Sequence, residues 1–234
     1  MSQLTVAIVA GGLATRLYPT TLKVPKSMLT INGNPFIDWQ LRYLANQGID
    51  RVVLCLGNLA NQIIDFIGNG ERYHLKIDFS VEKSPLGTGG ALKKASNLLG
   101  ETFGILYGDS YLTIKLSPIF NSHLKSNKLI SMTVFENKNN YDKSNVKFTS
   151  KGTIRYLKNE PTDDMNYIDY GFLVMNRKAL EQIPSETFYD LSDLLEKFSE
   201  TDQVFGHKVF ERFYEIGSRE GIIDLTNYLV RESK

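Results

Sequence analysis

Strand-like and helix-like segments alternate through the first half of this 234-residue chain, and that alternation predicts an α/β fold with a mainly parallel central sheet. Two further observations support it. The runs at residues 4–10 and 51–56 are apolar stretches rich in Val, Ile and Leu, the composition of strands buried on both faces. From residue 129 onward, short strand-like runs are separated by Lys, Asn and Gly turns, which predicts a smaller antiparallel subregion.

Each element follows from its own pattern. Residues 4–10 are too short an apolar run for a helix, and they lead into the turn Gly11-Gly12. Residues 28–31 form a short strand closed by Asn32-Gly33-Asn34, and Pro35 suits the first position of a helix. Phe36, Ile37, Leu41, Tyr43 and Leu44 give that helix its apolar face, and Gly48 ends it. Strand 51–56, helix 60–67 and strand 75–81 follow. A second glycine-rich turn spans 82–90, ahead of a helix over 91–99 and a strand over 103–107. Further on come a helix at 116–125 and strands at 129–135, 145–149, 153–157 and 167–175, the last interrupted by Gly171. Helix 191–198, strand 203–209 and a closing helix at 218–230 complete the chain, with Ser218 as its cap. No linker or internal repeat divides it. One domain is expected over 1–234, with a first half to about residue 115 and a second half from about 116.

Composition narrows the function classes. Apolar residues make up 42% and charged residues 23%, values ordinary for a globular protein, and the net charge of +1 argues against a broad basic surface for nucleic acid. No run approaches the roughly 18 apolar residues of a membrane span. The opening residues lack the basic-then-apolar plan of a secretory leader, so a cytoplasmic protein is expected. The single cysteine, Cys55, lies in an apolar run and permits no intrachain disulfide or thiolate zinc site. Three scattered histidines lack metal-ligand spacing, and no G-x-S-x-G elbow is present.

The chemistry concentrates where strands end. Gly11-Gly12 lets the backbone turn without a Cβ in the way, and successive amides in such a turn make an anion-binding concavity. Arg16 and Lys26 add positive charge, so a polyphosphate is the natural guest. Neither G-x-G-x-x-G nor the Walker loop occurs. Asp109, carried past the end of an apolar strand by Gly108, is a candidate metal ligand, although an aspartate there also commonly serves the next turn. In an open parallel sheet, one crevice beyond the strand ends can hold both glycine turns and Asp109.

The string GGLATRLYPTTLKVPKSML resembles the signature of the sugar-1-phosphate nucleotidyltransferases, G-G-x-G-T-R-L followed about ten residues later by P-K-P. Three later stretches extend the resemblance: Leu86-Gly87-Thr88-Gly89-Gly90, Tyr107-Gly108-Asp109-Ser110 and Phe213-Tyr214-Glu215-Ile216-Gly217-Ser218. It implies the nucleotide-diphospho-sugar transferase fold, a Rossmann-like mixed sheet, mainly parallel, with helices on both faces. It also implies the reaction of a nucleoside triphosphate with a sugar 1-phosphate to give a nucleotide sugar and pyrophosphate, assisted by Mg2+. Within the family the chain looks most like the small bacterial heptose- and mannose-1-phosphate guanylyltransferases, which feed lipopolysaccharide, capsule or S-layer glycans. GTP is therefore the favoured nucleotide. UTP- or CTP-dependent transfer, a non-sugar phosphate acceptor and a binding paralogue without turnover remain alternatives, and a homo-oligomer is open.

Carried over residue by residue, the resemblance gives Arg16 and Lys26 the phosphates, and Asp109 and Glu215 the metal. The nucleotide falls to Ala10, Gly11, Gly12, Thr15, Leu86, Gly87, Thr88 and Gly108. Glu82 has the chemistry to accept protons from guanine N1 and N2, though a glutamate at a strand end is also an ordinary exposed charge. For the sugar phosphate the corresponding positions are Lys158, Glu160, Asp169 and Gly171. The chain departs from the pattern in four places: Ala14 for glycine, Ser27 for the second proline, Glu215 for aspartate, and acidic Glu160 at the expected lysine.

Overall fold

The computed structural model describes residues 4–12, 17–137 and 141–232. Its core is a nine-stranded mixed sheet. The strands are β1 (Thr5–Val9), β4 (Arg51–Leu56), β5 (Lys76–Val81), β6 (Thr102–Tyr107), β8 (Ile130–Glu136), β9 (Val146–Phe148), β10 (Ile154–Tyr156), β11 (Tyr167–Asn176) and β12 (Val204–Val209). The main path runs β5-β4-β1-β6-β11, with β8 then β12 on one continuation and β9 then β10 on another. β5, β4, β1 and β6 are parallel, whereas β11 runs antiparallel to β6, β8 and β9. Two small antiparallel pairs lie outside the sheet: β2 (Thr30–Ile31) with β3 (Asn34–Pro35), and β7 (Ser110–Tyr111) with β13 (Tyr214–Glu215).

Alternation along the strands sorts the core into two layers. Val6 and Ile8 of β1 face α1 (Phe36–Asn46), α2 (Ala60–Ile67) and α4 (Ser117–Ser126) through Ile37, Leu41, Ile63 and Phe120. Ala7, between them, faces the other side with Val53, Phe103 and Leu173. There α3 (Gly87–Lys94) and α5 (Leu191–Glu200) supply Leu92, Leu194 and Leu195. Helices thus cover both faces. The closing helix α6 (Arg219–Glu232) packs elsewhere, placing Leu225 and Leu229 against Ile31, Phe36 and Ile216. Among the described residues no helix is long and apolar enough to cross a membrane.

The short strands of the second half pair antiparallel as expected, β8 with β11 and β9 with β10, while β12 joins the sheet parallel to β8. The chain crosses through α5 before re-entering the sheet, and that return restores the direction of β8. The helix expected at 91–99 is displaced: α3 begins at Gly87 and ends at Lys94, followed by a 3-10 turn at Ser96–Leu98. Glycines weaken a helix in isolation, but here the amides of Gly89 and Gly90 both donate to the Tyr189 carbonyl, at 2.9 and 3.1 Å. Tertiary contact overrides propensity.

Candidate active site

The ends of β1, β4 and β5 open into a cleft of about 800 Å³. Its floor is a meeting of two glycines and one carboxylate. A Cβ at Gly57 would lie 2.7 Å from both the Gly11 carbonyl and Glu82 Oε1, and one at Gly11 would lie 3.1 Å from the same Glu82 oxygen. Only glycine lets these segments close on Glu82. The Leu86 amide donates to Glu82 Oε2 at 3.1 Å, and burial raises the Glu82 pKa, an effect partly opposed by that amide and by Lys94. By contrast a Cβ at Gly12 meets nothing within 4 Å among the described residues, so this glycine faces open space.

A second cluster lies one strand over. The Gly108 amide donates to the Val9 carbonyl at 2.9 Å, and a Cβ at Gly108 would lie 2.8 Å from Ala10 Cα. This contact sets Asp109 beside the first glycine turn. Lys26, in the 3-10 turn Lys26–Met28, pairs with Asp109 Oδ2 at 3.0 Å. The β7–β13 ribbon brings the distant Glu215 to the same place, and the Ile216 amide donates to the Asp109 carbonyl at 2.9 Å. A Cβ at Gly217 would lie 2.7 Å from Glu215 Oε2, 3.5 Å from Lys26 Nζ and 3.7 Å from Asp109 Oδ2. One cation and two carboxylates therefore converge on a single backbone position.

The longer arm of Glu215 is accommodated by folding back on the start of α6. Its Oε2 accepts from the amides of Gly217 and Ser218, and Oε1 accepts from Ser218 Oγ at 2.5 Å. Ser218 Oγ in turn caps α6 by accepting from the Gly221 amide at 2.9 Å. Gly221 is the enabling residue, since a Cβ there would sit 2.0 Å from Glu215 Oε1.

The sugar-side candidates divide. Asp169 Oδ2 accepts from Tyr107 Oη at 2.7 Å, and Oδ1 from the Gly171 amide at 2.9 Å. Burial pushes the Asp169 pKa up to about 6, against the opposing pull of Gly171, Tyr107 and Lys158. Gly171 has φ +99°, and a Cβ there would lie 2.7 Å from Ser110 Oγ, so β11 bends tightly against β7. Lys158 is exposed and reaches Asp190 Oδ2 at 3.1 Å. Glu160 sits on an exposed bend at 158–160. Arg16 and Thr15 lie outside the described residues.

The second glycine stretch meets the cleft along only part of its length. Gly87, Thr88 and Glu82 line the cleft, but Leu86 is buried and its carbonyl accepts from the Tyr189 amide at 2.8 Å. Thr88 Oγ1 donates to Asp190 Oδ1 at 3.0 Å and accepts from the Leu191 amide at 2.8 Å. The amides of Gly89 and Gly90 are taken by the chain itself, so they are not available to read a base edge.

Several site residues carried no motif. Gln40 of α1, 1% exposed, donates through Nε2 to the carbonyls of Tyr107 (3.0 Å) and Ser110 (2.8 Å), bracketing Asp109. The cleft is also lined by Gly57, Asn58 and Leu59 after β4, and by Phe188. The Gly57 turn repeats the strand-then-glycine pattern of Gly11 and was findable on that ground. Asp190, the α5 cap that accepts from the Ser192 amide, is marked by its position before an amphipathic run. Burial alone would raise its pKa, but Ser192, Lys158 and Thr88 outweigh this and hold it below the usual range.

The chain is similar to known proteins over most of its length. D-glycero-alpha-D-manno-heptose 1-phosphate guanylyltransferase of Aneurinibacillus thermoaerophilus is 30% identical over 213 residues, 90% of this chain and 91% of that protein. The crystal structure of HddC from Yersinia pseudotuberculosis, complexed with GMP-PN, superposes with a TM-score of 0.83 at 26% identity, covering 97% of this chain and 99% of that one. A putative glucose-1-phosphate thymidylyltransferase from Bacillus anthracis gives the same TM-score at 16% identity, with coverage of 97% and 95%, a likeness of fold. The model of the nucleotidyl transferase family matches residues 5–232, and the chain belongs to that family.

Proposed function

We propose that this enzyme transfers a guanylyl group from GTP to a sugar 1-phosphate of the heptose or mannose type, giving a GDP-sugar and pyrophosphate. The observation that carries the reading is the convergence of Lys26, Asp109 and Glu215 beside a glycine-floored cleft that holds Glu82. The names of the guanylyltransferase relatives support the base and the acceptor. Glu82 accepts hydrogen bonds from guanine N1–H and N2–H, while Gly11 and Gly12 let the triphosphate approach the backbone. A sugar-phosphate oxygen attacks the α-phosphorus in line as the bond to the β-phosphate oxygen breaks, and pyrophosphate leaves with the negative charge. Lys26 neutralises charge at the reacting phosphates, and Arg16 is assigned to the β- and γ-phosphates by its residue type. Asp169, Gly171 and Lys158 orient the sugar.

The two carboxylates suit a magnesium ion, a hard cation bound by one or two carboxylates together with substrate phosphates. Glu215 Oε1 and Oε2 accept from a hydroxyl and two amides, and an ionised carboxylate has acceptor capacity beyond these. When bound, the ion supplies charge neutralisation at the α-phosphate and the leaving group. The product suits a glycosyl-transfer step of surface-glycan assembly, in the cytoplasm.

Asp109→Asn tests the assignment. It keeps the side-chain shape and removes the charge, so Mg2+ binding followed by calorimetry weakens and pyrophosphate release falls by on the order of a thousandfold. The melting temperature stays near that of wild type. Normal turnover in this variant would refute the metal assignment.

A further inference from the structure

Phe188 is an aromatic side chain left 66% exposed, yet it lines the nucleotide cleft together with Gly87 and Glu82. Among the exposed large apolar side chains of the described residues, Phe188 is the aromatic one that lines this cleft. Its position is fixed by the backbone next to it. The Tyr189 amide donates to the Leu86 carbonyl at 2.8 Å, and the Tyr189 carbonyl accepts from Gly89 and Gly90. Asp190 is held by Thr88, and the Gly87 backbone passes so close that a Cβ there would lie 3.3 Å from Phe188 Cε2. The ring is thus presented by a tightly bonded segment. It stands in the same cleft as Glu82, whose carboxylate lies at the floor against Gly11 and Gly57.

These two features divide the work of recognising a purine. A carboxylate accepts hydrogen bonds from one base edge, and a ring offers the π-face on which the base can stack. We infer that Phe188 is a base-stacking residue of the nucleotide cleft, acting beside the edge recognition by Glu82. This rests on the guanylyl-transfer reading and deepens it. It also explains the second glycine stretch: Gly87, Gly89 and Gly90 are small so that the segment carrying Phe188 can dock on α3.

The test is a comparison of Michaelis constants for the two substrates in wild type, Phe188→Ala and Phe188→Trp, by pyrophosphate release with Mg2+. In Phe188→Ala the KM for GTP rises on the order of tenfold, the scale of losing one stacked aromatic. The KM for the sugar 1-phosphate stays within about twofold, and Phe188→Trp restores GTP affinity because the larger ring still stacks. An unchanged KM for GTP, or an equal rise for both substrates, would overturn the inference while leaving guanylyl transfer intact. A wild-type enzyme that turns over no guanine nucleotide would instead overturn the functional reading itself, and with it the inference.

Discussion

The two glycine-rich stretches look alike in sequence and serve opposite ends in the structure. At Gly11-Gly12 the missing side chains admit Glu82 and Gly57 on one side and leave open space on the other. At Gly87, Gly89 and Gly90 the space is already filled by the chain. Added Cβ atoms would lie 2.6 Å from the Tyr189 carbonyl, 3.1 Å from the same oxygen and 2.7 Å from the Thr187 carbonyl. A glycine motif reports that some backbone or ligand must come close. It does not report which: the first turn leaves open space at Gly12, whereas at the second the space beside the glycines is filled by the chain.

The contrast makes separable predictions. Gly87→Ala places a side chain at φ +71° and against the Tyr189 carbonyl, so it destabilises the fold by roughly 2–4 kcal/mol. Thermal unfolding should fall by about 5–15 °C. Gly12→Ala should do the reverse in kind: its melting temperature stays within about 2 °C of wild type, while kcat/KM for GTP drops on the order of tenfold as the Cβ intrudes on the phosphate approach. A large loss of stability in Gly12→Ala, or none in Gly87→Ala, would break the distinction.

The smallest effect concerns the polar cluster behind the second stretch. Burial raises the Asp169 pKa to about 6 in the folded protein, above its ordinary value of 3.8. The folded state therefore holds this proton more tightly than the unfolded chain does. The associated stabilisation is present in full below about pH 3.8 and is lost as pH rises through about 6. Melting temperatures of wild type and Asp169→Asn, compared from pH 4 to 7, should show wild type losing ground relative to the variant across that window. A constant difference would remove the buried-carboxyl account.

Much of the architecture was legible because local pattern and tertiary demand agree. Strand Arg51–Leu56 and helix Ala60–Ile67 stand where their apolar patterns put them, since a buried parallel strand and a one-sided helix both write their burial into spacing. The start of α3 was hidden because its first turn is held by Tyr189, about 100 residues away in sequence, which no local propensity records. The two-residue strands β7 and β13 are too short to show a period, yet they deliver Glu215 to Asp109. Lys26, Asp109 and Glu215 were readable from motif strings. Gln40 was not, because a buried amide inside an amphipathic helix looks like any other until the carbonyls of Tyr107 and Ser110 are seen in front of it. Phe188 passed as one aromatic residue among many for the same reason.

The central claim is guanylyl transfer to a sugar 1-phosphate at this cleft. Its most direct test is pyrophosphate release with Mg2+, measured across GTP, ATP, CTP, UTP and dTTP against a panel of sugar 1-phosphates that includes heptose and mannose forms. Release is expected with GTP and a heptose or mannose 1-phosphate, and little with the pyrimidine nucleotides. Release with UTP or CTP in place of GTP, or silence across the panel, would contradict it.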